Sequence, residues 1–263
     1  MAVPNVYRRQ YQTLCEVIAS WESAAVAFSG GIDSTLLLHA AHAALGERIV
    51  AFHAVTPLQT VAEQQRATQL AAGCGCRLVR FAIDPLAWPE FVANPPERCY
   101  LCKKKMYSRL VAALPEYGCR VLLDGTNADD LRDDRPGLKA LRELGVQTPL
   151  AAIGLHKGDV RRCAEAVGIP TWNAPSSSCL ATRIPHGQPI TPENTGFVAR
   201  LEEYLNCQGF PGCRVRWGAE NLVIEVREED IPRLIALSGT PLFQKMAYQK
   251  GFKSLLVAQR IDR

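Results

Sequence analysis

A glycine-containing turn lies between an apolar run and a helix-like segment near the start of the sequence. Residues 26–38 read VAFSGGIDSTLLL, with Ser29, Gly30 and Gly31 at the break and Asp33 and Ser34 just after it. A strand, a glycine turn and a helix together leave backbone N–H groups at the helix N-terminus for an anion, and glycines allow close approach to a phosphate. The two hydroxyls add donors, and the carboxylate suits a Mg²⁺ ion on the phosphates. The stretch predicts a nucleotide-phosphate site, with an ordinary tight turn as the alternative.

A second polar segment, DGTNADD at 124–130, follows a short apolar run. Small residues such as Gly125 and Thr126 would let the chain pass close to a bound nucleotide. Asp129 is placed to share a Mg²⁺ ion with Asp33. The alternative is a polar loop in which an Asx turn satisfies its own backbone.

The cysteine content suggests a metal or redox site, because ten cysteines are many for a 263-residue chain in a reducing compartment. Cys99 and Cys102 form a CxxC pair at a predicted helix start, and Cys179 is the natural third ligand. Three cysteines without a fourth are the arrangement expected for a [4Fe–4S] cluster with one open iron. The alternative is that the CxxC pair packs in the interior and Cys179 is a lone loop thiol.

Basic residues follow both cysteine segments. Lys103 comes directly after the CxxC pair and is a candidate for a phosphate, although a run of lysines is usually a solvated helix face. Arg183 lies four residues after Cys179, and its planar fork makes it the better candidate.

Two further arginines alternate along a predicted strand near the C-terminus. Arg214 and Arg216 share one face of that strand, where they would repel each other unless an anion lay between them. A substrate phosphate or carboxylate is one interpretation and an exposed strand face is the other. Glu202 and Glu225 are candidates to orient these arginines.

The spacing of apolar residues predicts strands that alternate with helix-length segments. The predicted strands of this part are residues 26–28, 48–54, 77–83, 120–124 and 169–172, and the intervening helices include 60–73, 97–114 and 157–167. This alternation predicts an α/β fold with a doubly wound parallel sheet over residues 1–188. Residues 189–263 are expected to form a small α+β domain, with helices at 193–207 and 230–237 and strands at 213–217, 222–226 and 254–259.

Composition excludes some classes of partner. The formal charge of +4 is a weak signal for a protein that grips long nucleic acid, and no run approaches the ~18 apolar residues of a membrane span. The first twelve residues lack an apolar signal-peptide core, so we expect a cytoplasmic protein with no membrane partner.

The motifs carry a family resemblance. The SGGxDS segment resembles the PP-loop of the ATP pyrophosphatase superfamily, in which similar DGTNxDD segments face that loop. With RCYxCK at 98–103 and PSSSCLATRIPHG at 175–187 added in this order, the whole chain resembles the LarE family. These are ATP-dependent sulfur transferases that build a nickel-pincer cofactor.

The resemblance implies a substrate, cofactors and site residues. The substrate is a pyridinium mononucleotide with two carboxylates; ATP adenylates one, and sulfur displaces AMP to give a thiocarboxylate. The ATP-binding residues implied are Ala27, Ser29, Gly30, Gly31, Asp33, Ser34, Gly125, Thr126 and Arg183. The candidates to bind this substrate are the charged residues described above, Lys103, Arg183, Glu202, Arg214, Arg216 and Glu225. Family members assemble from several copies, so a homo-oligomer is expected.

The resemblance also leaves the sulfur source to be decided. One branch of the family sacrifices a cysteine at the position of Cys179, whereas a three-cysteine branch is thought to hold a [4Fe–4S] cluster that carries an extra sulfide. Cys99 and Cys102 favour the second branch, with a separate sulfide source. A PP-loop tRNA thiolase and a non-catalytic nucleotide sensor are the alternatives. The thiolase should carry a basic stripe or an RNA-binding module, which the formal charge of +4 does not support, and pyrophosphate release would separate the sensor from both enzymes.

Overall fold

The structure is a computed structural model that describes residues 4–132, 136–175 and 178–260. Its helices are α1 (Asn5–Ala19), α2 (Ile32–Leu45), α3 (Val61–Gly73), α4 (Pro89–Val92), α5 (Arg98–Ala113), α6 (Pro136–Glu143), α7 (Pro149–Ala152), α8 (Lys157–Ala166), α9 (Pro192–Cys207), α10 (Ile231–Ser238) and α11 (Pro241–Ala247). Its strands are β1 (Ala24–Ala27), β2 (Ile49–Val55), β3 (Arg77–Ala82), β4 (Val121–Asp124), β5 (Arg214–Trp217), β6 (Asn221–Val226) and β7 (Ser254–Gln259).

The chain divides into two compact units. The first unit contains Met1–Thr56, Thr60–Pro85 and Glu97–Ala174, and the second contains Pro57–Gln59, Leu86–Pro96 and Pro175–Arg263. The domain boundary predicted at residues 188–189 stays a prediction.

The first unit is built on a parallel sheet with the strand order β3-β2-β1-β4. Side chains alternate between the two faces of each strand, and in β1, β2 and β4 both faces are largely buried. Val26, Ala51 and Leu123 belong to the core on one face, while Phe52 and Leu122 belong to the core on the other. Strands covered on both faces must be apolar at nearly every position, which explains the short, continuous apolar runs of the sequence.

Helices cover both faces of this sheet. Residues of α1, α2, α3 and α8 pack in the core with Val26, whereas residues of α5 and α6 pack in the core with Phe52. The predicted α/β fold with a doubly wound parallel sheet is confirmed.

One predicted strand is wrong. Residues 169–172 form no strand, because the chain turns at Gly168, whose φ is +78°, and continues through turns after α8. An isolated parallel bridge between Leu123 and Gln147 adds to the sheet beside β4 instead. Short apolar runs fit a strand and a buried turn equally well, so periodicity does not separate them.

The second unit contains a three-stranded sheet with the order β5-β6-β7, in which β5 and β6 are antiparallel and β6 and β7 are parallel. Its three strands lie within one residue of the predicted ranges, while α11 is an element that the sequence reading missed. Helix α9 buries Phe197, Leu201 and Leu205, which recur at a spacing of four residues and so share one face. Alternate residues of β6 are likewise buried.

In the described part of the chain, no helix combines the length and the apolar character that crossing a lipid bilayer requires.

Candidate active site

The PP-loop joins the carboxyl end of β1 to the first turn of α2. Gly30 has a φ of +75°, and a Cβ atom there would lie 2.9 Å from the Cα atom of Ala67. Glycine is therefore needed both for the backbone conformation and for the contact with α3. Gly31 is the N-cap of α2 and has no side chain to cap it, which leaves first-turn N–H groups for an anion.

The two serines of the PP-loop stabilise the turn. The Ser29 hydroxyl lies 3.1 Å from the Ser34 hydroxyl, and Ser34 donates to the carbonyl of Gly31 at 3.1 Å. The backbone N–H of Ser29 also donates to the Ser34 oxygen at 3.3 Å. Ala27 is the last residue of β1 and precedes this turn. The loop is thus ordered by its own polar groups.

The segment after β4 lies against the PP-loop. A Cβ atom at Gly125 would lie 2.9 Å from the backbone nitrogen of Ser34, so only glycine fits without a shift. The side chain of Asn127 donates to the Asp33 carboxylate at 3.0 Å. The structure therefore brings together the two polar segments that the sequence placed in one site.

A lysine links both predicted magnesium carboxylates. The Lys157 ammonium donates to Asp33 at 2.7 Å, and its backbone N–H donates to Asp129 at 2.8 Å. Lys157 is the first residue of α8, where the positive end of the helix dipole disfavours a cation. The two carboxylates compensate for that position.

Asp129 lies in an environment that favours its charged form. It accepts a hydrogen bond from the backbone of Lys157, and its carboxylate lies 2.8 Å from Nδ1 of His156. These contacts, together with the charges of His156 and Arg132, lower the pKa of Asp129 below its ordinary value. The carboxylate thus remains ionised and able to bind a cation.

Asp124 fixes the turn that leads into Gly125. Its carboxylate accepts hydrogen bonds from the backbone N–H of Thr126 at 2.8 Å, from the Thr126 hydroxyl and from the Tyr107 hydroxyl. Burial, and then the nearby Asp124 charge, raise the pKa of Tyr107, so the phenol stays protonated and donates. The Thr126 hydroxyl, predicted to bind ATP, is bonded to Asp124.

The CxxC pair lies at the start of α5. Cys99 is exposed and Cys102 is half-buried, and their spacing of three residues places them on one side of the helix. Lys103 places its ammonium group 5.5 Å from the centre of the Tyr107 ring, and its stem contacts Gly137 of α6. Its predicted role at a phosphate stays a prediction.

Burial separates three other cysteines from these. Burial raises the pKa of Cys76 and Cys213 to about 12 and that of Cys163 to about 11. Thiols with such pKa values stay protonated and unreactive near neutral pH. Cys99 and Cys179, like Cys207, are exposed, so they are better suited to chemistry than the buried thiols.

In the second unit, Arg183 lies at the end of a 3₁₀ turn that begins just after Cys179. Its guanidinium is buried and forms a two-point ion pair with Glu202, with distances of 2.7 Å from Nε and 3.1 Å from Nη2. Glu202 was predicted to orient Arg214 and Arg216, yet its carboxylate binds Arg183 and the backbone N–H of Val215 instead. Residues 176 and 177 of the predicted PSSSC motif lie outside the described residues.

Arg214 and Arg216 occupy the same face of β5, as predicted. Arg216 pairs with Glu225 and also donates to the carbonyl of Thr182 at 3.2 Å. Burial lowers the pKa of Arg214, and the positive charges of Arg260, Arg183 and Arg216 lower it further. This concentration of positive charge favours an anion beside Arg214.

In the described ranges, no three side chains of His, Cys, Asp or Glu are arranged to hold a metal ion. The Mg²⁺ and [4Fe–4S] assignments therefore rest on the chemistry of the donors.

Comparison with known proteins shows the family. No family model matches the sequence. The chain is 36% identical over 220 residues to pyridinium-3,5-bisthiocarboxylic acid mononucleotide synthase of Lactiplantibacillus plantarum, covering 83% of this chain and 80% of the relative. The chain belongs to the LarE family. It is thus an enzyme of the PP-loop ATP pyrophosphatase type.

Other relatives of this LarE-family chain are consistent with that assignment. An uncharacterized protein of Synechocystis is 36% identical over 225 residues, covering 85% of this chain and 84% of the relative. One of the subunits of the glutamine-hydrolyzing GMP synthase of Archaeoglobus fulgidus is 24% identical over 201 residues, covering 69% of this chain and 63% of the relative.

Sequence analysis of this LarE-family chain missed three residues that hydrogen-bond to the predicted metal carboxylates. These residues are Asn127, His156 and Lys157. A usable signal was present at Lys157, because a lysine at the first position of a helix is electrostatically unfavourable unless carboxylates lie near it. The other two gave no comparable signal.

Proposed function

We propose that this chain is an ATP-dependent sulfurtransferase that converts a carboxylate of a pyridinium biscarboxylate mononucleotide into a thiocarboxylate. The observation that carries the proposal is the contact of the PP-loop carboxylate of Asp33 with Asn127 and Lys157 in one unit. This arrangement combines an anion site, a metal carboxylate and a flexible cationic side chain, which are the groups that adenylation needs. The name of the L. plantarum relative supports the substrate class.

Adenylation is assigned to the first unit. The α2 N-terminus and the PP-loop bind the ATP phosphates, with Ala27, Ser29, Gly30, Gly31, Ser34, Gly125 and Thr126 lining the site. A substrate carboxylate oxygen attacks the α-phosphorus, the bond to the bridging oxygen breaks, and pyrophosphate leaves. Lys157 would leave Asp33 and bind the departing pyrophosphate.

Asp33 and Asp129 fit a magnesium ion, which prefers carboxylate oxygens and water as ligands. Asp33 is already paired with a cation in this structure, so its surroundings tolerate positive charge. When bound, Mg²⁺ neutralises charge on the phosphates. The chain's own part is to hold the two carboxylates through Lys157, whose ammonium binds Asp33 and whose backbone N–H binds Asp129.

Sulfur transfer completes the reaction. Hydrosulfide attacks the carbonyl carbon of the acyl adenylate, the bond to the AMP oxygen breaks, and the thiocarboxylate, AMP and a proton result. Arg214 would bind an anionic group of the mononucleotide, which the positive charges around it support, and Arg216 is oriented by Glu225.

Cys99, Cys102 and Cys179 are the proposed ligands of a [4Fe–4S] cluster with a separate sulfide source. The exposed Cys99 and the half-buried Cys102, three residues apart at a helix start, fit this role, because this spacing suits two sulfur ligands on one cluster. When bound, the cluster would supply an iron site that carries sulfide. Cys179 as a sacrificial donor is the alternative outcome of the test below.

A homo-oligomer is supported by apolar residues on the surface of the second unit. Ile235, Leu242 and Leu256 are 57%, 58% and 46% exposed. Strand β7, which carries Leu256, is the last strand of its sheet in the described part of the chain. Light scattering on the wild type and on Leu256→Lys tests this, since the substitution should lower the mass if the face is buried between copies.

The decisive test incubates the anaerobically purified protein with ATP, Mg²⁺, sulfide and the synthetic pyridinium biscarboxylate mononucleotide. We expect pyrophosphate, AMP and a thiocarboxylate identified by mass spectrometry. Asp33→Asn should abolish pyrophosphate release while keeping the fold, because asparagine still accepts from Asn127. Pyrophosphate release without the mononucleotide, or none with it, would refute the substrate assignment. A protein lighter by one H₂S at Cys179 would show the sacrificial route.

A further inference from the structure

The loop that carries Cys179 is fastened by one buried guanidinium. Arg183 is 6% exposed, and Nε and Nη2 bind the two oxygens of Glu202. Glu202 is 7% exposed and also accepts from the backbone of Val215 in β5. The ion pair thus fixes the direction of the guanidinium relative to the sheet of the second unit.

The remaining nitrogen of Arg183 faces the loop. Nη1 donates to the carbonyl of Ser178 at 3.1 Å, to the Ser178 hydroxyl and to the Thr182 hydroxyl at 3.0 Å. It lies 3.4 Å from the carbonyl of Cys179. The contacts are therefore with the residue before Cys179, with Cys179 itself and with the turn that follows.

A second ion pair holds the other side of the same turn. Arg216, paired with Glu225, donates to the carbonyl of Thr182 at 3.2 Å. Thr182 in turn donates from its backbone N–H and its hydroxyl to the carbonyl of Cys179, at 2.9 Å and 2.7 Å. The backbone on both sides of Cys179 is consequently tied to β5 and β6 through two arginine–glutamate pairs.

We propose that Arg183 is a positioning residue that holds Cys179 in place for sulfur transfer, and that it is not a phosphate ligand. The proposal rests on the proposed function, in which Cys179 takes part in sulfur delivery. Arg183 uses its fork on Glu202 and the loop, so binding a phosphate would require breaking a buried two-point pair. Phosphate binding then belongs to the first unit, and Arg214 remains for the anionic groups of the substrate.

The test uses the variant Arg183→Met/Glu202→Gln. Removing Arg183 alone would leave a buried carboxylate without its cation and threaten folding, whereas the double variant removes both charges. The amide oxygen introduced at position 202 can still accept from the backbone of Val215. The variant should therefore fold while losing every Nη1 contact to the loop.

Hydrogen–deuterium exchange of the peptide covering residues 178–184 is the first readout and needs no substrate. We expect exchange in this peptide to rise by more than about tenfold, because its backbone loses its fastening. The second readout separates the two chemical steps. The KM for ATP in pyrophosphate release should stay within about twofold of wild type, while thiocarboxylate formation should fall by about 10²-fold, as for a misplaced reacting group.

Arg233→Met is the matched control. Arg233 is an arginine of the same unit that pairs with Asp230 and donates to the carbonyls of Gln208 and Gly209, away from the Cys179 loop. The Arg233→Met variant should leave the exchange of peptide 178–184 and both chemical steps unchanged.

Arg183→Lys is the second variant. It keeps the positive charge but not the planar fork of the guanidinium. We expect it to restore less than about half of the thiocarboxylate formation that the double variant loses.

The outcomes distinguish the assignments. A raised KM for ATP with unchanged exchange in 178–184 would overturn the proposal and make Arg183 a phosphate ligand. Full rescue by lysine would also overturn it, because a point charge would then suffice. A third outcome is a wild type that makes no thiocarboxylate while the double variant still exchanges faster in 178–184. Arg183 would then still hold the loop, and only the proposed function would be rejected.

Discussion

The ammonium nitrogen of Lys157 lies 2.7 Å from a carboxylate oxygen of Asp33, although 124 residues separate them in sequence. The side chains are 32% and 20% exposed, so the contact is partly shielded from water. Because the backbone of Lys157 also binds Asp129, the first turn of α8 joins the PP-loop to the segment after β4.

Lys157→Met should impair the use of ATP without unfolding the protein. A charge-assisted hydrogen bond to a phosphate contributes about 1.5–3 kcal/mol, so kcat/KM for ATP should fall by about 10- to 100-fold. Pyrophosphate release against ATP concentration measures this. Lys245→Met, at an exposed lysine of α11, is the control and should match wild type. Equal kcat/KM values for ATP in the two variants would show that Lys157 does not bind the phosphates.

Gly125→Ala should disrupt the contact between the segment after β4 and the PP-loop. The added Cβ would lie 2.9 Å from a backbone nitrogen, and overpacking of this kind costs about 1–3 kcal/mol. Thermal melting should show lower stability, and the KM for ATP should rise. Gly158→Ala in α8 is a close control, because a Cβ atom there would meet nothing within 4 Å among the described residues. It should be neutral or stabilising by up to about 1 kcal/mol.

Because of Asp129, the free energy of unfolding should depend on pH in the acidic range. Its pKa is lowered in the folded state, so its contribution is present above the ordinary aspartate pKa of about 3.9 and is lost as pH falls through the folded pKa. The difference in Tm between wild type and Asp129→Asn should therefore be largest near neutral pH and shrink toward about pH 3. Melting curves across this range provide the measurement. A difference that grows in acid would contradict the assignment.

Cys99→Ser and Cys102→Ser should each lower the iron content of anaerobically purified protein from about four irons per chain. Iron and sulfide analysis with an absorption spectrum measures this. Cys207→Ser, at another exposed cysteine, should retain the iron. The cluster would be refuted if the wild type contained no iron, or if both variants kept their iron. Cys179 would then be the candidate sulfur donor.

The sequence by itself determined the elements and the first half of the site. The features that specify these elements are local: the apolar runs, the glycines at 30 and 31, and the spacing of Asp33 and Ser34. They can be read from the sequence because a strand, a turn and a helix start depend on neighbouring residues. The same locality explains the error at 169–172, where a short apolar stretch fits a turn as well as a strand.

Tertiary structure alone decided which side chains meet. Lys157 reaches Asp33 because α8 and α2 pack on the same face of the sheet, and no local pattern encodes that distance. Glu202 pairs with Arg183 and not with the arginines of β5 for the same reason, since a carboxylate pairs with the cation that folding brings to it. Residue types specify which contacts are possible, and the packing of distant elements selects among them.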